Sequence, residues 1–326
     1  MAINRRPRLL QLPFASETFP TGTVANGPGE LAVSWDEIVW AALTIGRPSV
    51  HHVWQHGAAS LNEAEFRLSL VHMALEQHGP GATRLRRTSA FKGLDPTEKG
   101  AISYFLGMNF CKLFSSRLLQ TPWLLHLDVF RSTIPTSVLG RSRPDLFGQQ
   151  SRTGAWLAFE TKGRASKPSV ADRIKAKRQA TRLVSVAGSA CTLHVGAFTF
   201  FVNDALNFHW IDPPTEAGRL IGVPEIGEAW RHYYEPVRTL WRARGDAELD
   251  PQSDRVTVAV AEFDLKLHIH KVLIPLLLRE TWAAAQRAAF DAEETLRADG
   301  FQADGLKIEC GPSWRERRSN DRELGY

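Results

Sequence analysis

The spacing of apolar positions changes period along the chain, and the changes mark the elements. Over residues 95–119, Ile102, Phe105, Leu106, Phe110, Leu113, Phe114 and Leu118 recur at helical spacing. Asp95 fits the N-cap of that helix, Pro96 its first position and Glu98 its third. Trp123 to Phe130 reads as a strand. A short β-like segment, Leu146 to Gln149, is joined by the polar, Gly-containing turn Gln150 to Gly154 to the apolar run Ala155 to Phe159, so a hairpin is expected. A second helix opens at Ser169 and Asp172 and runs to about Val186, with Val170, Ile174, Ala180, Leu183 and Val184 as its core-facing stripe. Thr192 to Val202 then reads as a buried strand.

The flanks are less regular. Residues 1–90 read as mostly helical after a Pro/Gly-rich start, with one helix opened by Asn62 and Glu65. After the last core strand come a Trp/Tyr-rich helix (Trp230, Tyr233, Tyr234, Trp241) and a strand, Val256 to Phe263. A long helix from about Lys271 to Asp299 and a strand at Leu306 to Glu309 follow, and Ser313 to Tyr326 form a charged tail. These patterns predict an α/β protein in three regions: a mostly helical 1–94, a central 95–211, and an α/β extension, 212–326, that serves recognition, dimerisation or partner docking.

Composition narrows the class. The chain has 326 residues, of which 43% are hydrophobic and 23% charged, enough for a sizeable core. Three cysteines support neither a disulfide framework nor a zinc ribbon, and Cys111 and Cys191 fall on apolar stretches as core thiols. The histidines at 51, 52, 56, 268 and 270 match no zinc spacing. A GxxxxGK[ST] phosphate loop and a G-x-S-x-G elbow are both missing, which argues against a fused ATPase and a serine hydrolase. The longest apolar run, Val272 to Leu278, contains Pro275 and is too short to span a bilayer, and the N-terminal apolar stretch is too short for a signal segment. No membrane association and a cytoplasmic location are the expectation.

Candidate chemistry gathers at the hairpin. Asp145 precedes one arm, and Glu160-Thr161-Lys162 ends the other. Two carboxylates are hard oxygen ligands of the kind Mg²⁺ prefers, and Mn²⁺ accepts the same donors. Lys162 lies two residues past Glu160 and so shares its face of the strand. Around this point the charge is concentrated. Residues 141–187 hold eleven Lys/Arg against three acids, a net +8, whereas the whole chain carries +5, so the remainder is net −3. A phosphate backbone is the partner such a patch fits, because cations on the protein release its counterions. The residues that would touch it are Arg143, Arg164, Lys175, Lys177, Arg178, Gln179 and Arg182. Gly79 to Leu94, with Arg84, Arg86, Arg87 and Lys92, forms a second basic patch, read either as a contact with nucleic acid or as a solvated loop.

The pair Pro144-Asp145 followed by Glu160-Thr161-Lys162 resembles the signature of the PD-(D/E)xK nuclease superfamily. The order helix, three strands, helix, strand over about residues 95–203 resembles that superfamily's restriction-endonuclease-like αβββαβ core. The resemblance implies a metal-dependent phosphodiesterase with Asp145, Glu160 and Lys162 as catalytic residues and one or two Mg²⁺ (or Mn²⁺) held by Asp145 and Glu160. It also implies the Thr161 carbonyl as a further ligand, and Glu98 as another, although Glu98 also reads as a capping residue. Lys175 or Gln179 would reach toward the site from the second helix. A DNA endonuclease of restriction or antiviral-defence type follows by analogy, acting as a homodimer or with an activating protein partner.

Other readings stand beside it. Asp264-Leu265-Lys266 mimics the second half of the motif without the Pro-Asp arm, and alternating polar positions facing water (Asp264, Lys266, His268, His270) explain it. The chain also fits a non-catalytic nucleic-acid-binding module or a structural subunit of a defence or repair complex. The residues do not separate DNA from RNA, single from double strand, or endo from exo cleavage.

Overall fold

The computed structural model describes residues 9–46, 58–77, 82–140, 142–212, 227–244, 255–261 and 264–311. His51, His52, His56 and the charged tail lie outside them. The chain is a mixed α/β protein built on one large mixed sheet.

The central region begins with a helix, Pro96–Leu118. Its predicted N-terminus is present: Asp95 accepts from the Thr97 N–H at 2.8 Å, and Glu98 accepts from the Asp95 N–H at 3.0 Å. Taken in chain order with the flanks, the helices are α1 (Trp35–Thr44), α2 (Ala58–Ala74), α3 (Ser89–Gly93), α4 (Pro96–Leu118), α5 (Leu127–Phe130), α6 (Val170–Ala180), α7 (Gly227–Arg244), α8 (Ile274–Leu278), α9 (Trp282–Asp291) and α10 (Glu293–Ala298). The strands that matter for the site are β1 (Leu10–Glu17), β2 (Gly27–Val33), β3 (Leu75–Gln77), β4 (Leu85–Arg87), β5 (Leu124–His126), β6 (Thr136–Val138), β7 (Leu146–Gln149), β8 (Trp156–Gly163), β9 (Leu183–Val186), β10 (Ser189–Val202) and β11 (Ala205–Ile211).

The main sheet runs β2-β1-β11-β10-β8-β7-β5, with the β3–β4 pair attached at β11 and the β6–β9 pair at β10. β7 and β8 form the expected antiparallel hairpin, in which Leu146 pairs with Phe159 and Gln149 with Trp156. β8 and β10 are parallel and are connected through α6, which packs on both. The opposite face of β8 and β10 is covered by α4, and the two layers meet closely where α4 crosses the end of β8. A Cβ on Gly163 would lie 1.5 Å from the Ser103 carbonyl oxygen, and one on Gly107 would lie 2.7 Å from the Gly163 nitrogen. Only glycine allows that approach, and it fixes the first turns of α4 beside Glu160-Thr161-Lys162.

Several expectations are corrected. The N-terminal region contributes strands as well as helices. β1 was hidden by Pro13, which is tolerated because the parallel pairing with β11 starts only at Phe14. Asn62 lies inside α2 rather than at its start. The second helix stops at Ala180, and Leu183 to Val186 form β9 instead. β5 ends at His126, where α5 turns the chain. The single helix expected over 271–299 is three, interrupted at Glu280, which adopts a positive φ of 59°, and at Ala292. In the C-terminal antiparallel sheet β12 (Arg255–Val260), β13 (Leu265–His270) and β14 (Leu306–Cys310), His268 and His270 are buried and do not face water. His268 meets Thr257 and Glu309, and His270 meets Asp299.

One hydrophobic cluster links all three regions, containing Trp40, Phe114, Trp210, Tyr233 and Leu306 among others. A polar knot lies within it. Buried Asp304 accepts from Trp40 Nε1 at 3.1 Å, from the Leu306 N–H at 3.0 Å and from the Tyr233 hydroxyl. Lys112, fully buried on α4, lies 4.3 Å from the Trp40 ring centre and donates to the Thr44 carbonyl at 3.5 Å. Burial lowers its pKa to about 7, an effect that the Asp304 charge opposes.

Candidate active site

Asp145 and Glu160 are brought together by hairpin register. Leu146 pairs with Phe159, so the residue before one faces the residue after the other across β7 and β8. Asp145 is held firmly: its Oδ2 accepts from the Thr161 N–H at 2.8 Å and from Thr161 Oγ1 at 3.0 Å. Its Oδ1 lies 3.4 Å from the hydroxyl of Tyr104, which donates from α4. Thr161 is fully buried, so both of its donors are fixed on the carboxylate.

Glu160 is in a different state. Only 1% of it is exposed. Its Oε1 pairs with the Lys162 ammonium, whereas Oε2 is buried and has no hydrogen-bond partner. Burial, reinforced by the charge of Asp145, pushes its pKa up to about 7, and the Lys162 ammonium and the nearby Asp145 backbone N–H work against that rise. A buried carboxylate oxygen without a partner is costly. Lys162 is about one-third exposed, so it reaches from the buried Glu160 to the surface.

Tyr104 was not anticipated. It lies 41 positions before Asp145 on a helix whose apolar residues advertise only packing, yet it is 44% exposed and its hydroxyl sits among Asp145, Glu160 and Asp128. Partial burial, with those three carboxylates, pushes the phenol pKa well above its ordinary value. The unexplained polar residue on the apolar helix was the available signal.

The other expected residues are distributed as follows. Glu98 turns back to its own N-cap, and among the described residues no set of three His, Cys, Asp or Glu side chains converges as a metal cluster. Arg143 is paired with Asp128 beside the site, and Arg164 with Asp172 at 2.5 Å. Arg182 donates to the Leu139 carbonyl at 3.4 Å. Lys175 and Arg178 are exposed and make no ion pair among the described residues, whereas Lys177 is half-buried and its charge acts on the buried Asp212. Gln179 is half-buried, and its amide oxygen is buried without a partner. The second basic patch is half compensated: Arg86, Arg87 and Lys92 share Asp204, and Arg84 pairs with Glu30. Asp264, in the rival motif, sits in a turn with a φ of 47°.

Comparison of the chain with protein-family models, curated proteins and solved structures gave no significant match. Among the described residues no helix is long and apolar enough to cross a membrane.

Proposed function

We propose that the chain is a metal-dependent nuclease, most simply a DNA endonuclease of restriction or defence type, with Asp145, Glu160 and Lys162 as its catalytic residues. The observation that carries this reading is the Glu160 carboxylate, buried against Asp145 with one oxygen paired to Lys162 and the other unpartnered. A divalent cation fits that donor set. Its charge would compensate two adjacent carboxylates and satisfy the orphaned oxygen, which a purely structural role leaves unexplained.

Asp145, Glu160 and the Thr161 carbonyl would hold the ion. The Thr161 N–H already points at Asp145, and in an extended strand the carbonyl of the same residue points to the same side. Bound there, Mg²⁺ or Mn²⁺ supplies Lewis-acid polarisation of a phosphate oxygen and acidifies a coordinated water. The protein's own groups do the rest. Thr161 and Tyr104 fix the rotamer of Asp145. Lys162 places a positive charge at the exposed rim, where a phosphodiester gains negative charge in the transition state; electrostatic help of this kind is worth about 3–4 kcal/mol. The order α4-β5-β7-β8-α6-β10 supports a restriction-endonuclease-like core, here with β6 and β9 added.

The test is cleavage of supercoiled plasmid, linear duplex, single-stranded DNA and RNA with Mg²⁺, Mn²⁺ or chelator, with Asp145→Ala and Lys162→Ala alongside. Metal-dependent plasmid nicking or linearisation that both substitutions reduce by about 100-fold or more is expected. Cutting that survives both would remove the assignment.

A further inference from the structure

We infer that α6 is a groove-reading helix, with its solvent face seated in the major groove of duplex DNA beside the acid pair. The proposal rests on the nuclease reading for the position of the cut, but its own evidence is separate. Val170 and Ile174, expected in the core, are 61% and 51% exposed. The core side of α6 is taken instead by Ala176 and Ala180, both fully buried, because the helix backbone lies so close to β10 at Gly196. Among the described residues, no other pair of exposed large apolar side chains is stacked one helical turn apart.

The rest of that face has one sign of charge. At 100° per residue, Val170, Ala171, Ile174, Lys175 and Arg178 fall on the side away from Ala176 and Ala180, and Lys177 lies at the flank toward β10. The face carries two exposed cations, Lys175 and Arg178, and no carboxylate. Asp172, the only acid of α6, is bound to Ser169 and Arg164. Arg143, Arg164 and Arg173 around the site are already engaged, whereas Lys175 and Arg178 on α6 are open to a new anion.

Aliphatic tips bordered by lysine and arginine suit a particular occupant. A helix of about 10–12 Å diameter fits the roughly 12 Å major groove, where Val and Ile can meet thymine methyl groups and the cations can reach flanking phosphates. A single strand would instead call for aromatic side chains to stack its bases, and this face has none.

Binding by the 326-residue chain in chelator, so that nothing is cut, separates the possibilities. Fluorescence anisotropy would compare one duplex, the same duplex with uracil for thymine, and the single strand, over a salt series. The expected preference for duplex over single strand is about tenfold or more. Val170→Ala/Ile174→Ala should weaken duplex binding by about tenfold, as should the uracil duplex, with the salt slope unchanged. Lys175→Ala/Arg178→Ala should lower the slope of log K against log salt by about 1.8, close to 0.9 per lost phosphate contact. Equal binding to single strand, no duplex binding, or duplex binding indifferent to all four positions would overturn the proposal. So would loss of self-association in Val170→Ala/Ile174→Ala with DNA binding unchanged, which would assign the face to a second copy. Duplex binding that depends on α6 without cleavage in Mg²⁺ would sink the nuclease reading alone; cleavage indifferent to α6 would sink this one alone.

Discussion

Side chains of one chemical type do different work here according to burial. Asp145 receives donors from two residues, whereas Glu160, its neighbour across the hairpin, has one oxygen with none. Asp212, at the end of β11, is a third case. It is 2% exposed, its Oδ1 accepts from the His194 N–H at 2.8 Å, and burial raises its pKa to about 6. The folded state therefore binds a proton more tightly than the unfolded chain, whose carboxyl titrates near 3.8. The Asp212 contribution is complete below about pH 4 and is lost as pH rises through 6. Asp212→Asn keeps the acceptor and removes the titration. Urea unfolding should find the variant more stable at pH 7.5, by on the order of 3 kcal/mol at most, and no different at pH 4. The acids and Lys162 were legible because they occupy one short hairpin. Tyr104 was not, because its role depends on a helix crossing that no local pattern reports.

At the scale of elements, legibility followed capping and turn chemistry. α4 begins where Asp95, Pro96 and Glu98 place its start, and the polar turn at 150–154 joins β7 to β8. α6 was misread in its facing. Periodicity identifies two faces of a helix but not which is covered, and the close approach at Gly196 selects alanines over Val170 and Ile174. β1 was missed because a proline argues against a strand unless its missing N–H falls where no neighbour pairs. The contact between α4 and β8 makes a prediction of its own. Gly163→Ala would drive a Cβ into the Ser103 carbonyl, backbone against backbone. The helix must shift, carrying Tyr104 away from Asp145. A loss of about 2–4 kcal/mol in thermal or urea unfolding is expected, with activity falling further than at residues equally distant from the site but outside this crossing. Unchanged stability would show that the layers are looser than described.

Across the whole molecule, the regions read from sequence share one core, so the fold is not three separate pieces. Asp304 connects α1, α7 and the turn before β14, and its charge acts on Lys112 of α4, which lies beneath the same rings. None of this was visible in the chain, because Trp40, Lys112, Tyr233 and Asp304 are far apart in sequence and unremarkable singly. Asp304→Ala would leave Lys112 without its compensating carboxylate and three donors without an acceptor. Leaving buried donors without their acceptor costs about 1–3 kcal/mol each, so a loss of about 3 kcal/mol or more is expected. The loss should appear in a single cooperative transition by far-UV circular dichroism and tryptophan fluorescence; separate transitions would show that the C-terminal region docks independently.

On the reading proposed above, a divalent cation would bind at the unpartnered oxygen of Glu160. Mn²⁺ titration followed by electron paramagnetic resonance, on the wild type and Glu160→Gln, tests it most directly, with thermal unfolding of both proteins in chelator as the control. Gln matches Glu in shape and removes a buried charge, so the variant should be at least as stable as the wild type while its Mn²⁺ affinity falls about 100-fold. Mn²⁺ binding of equal strength in both proteins, or none in the wild type, would contradict the account.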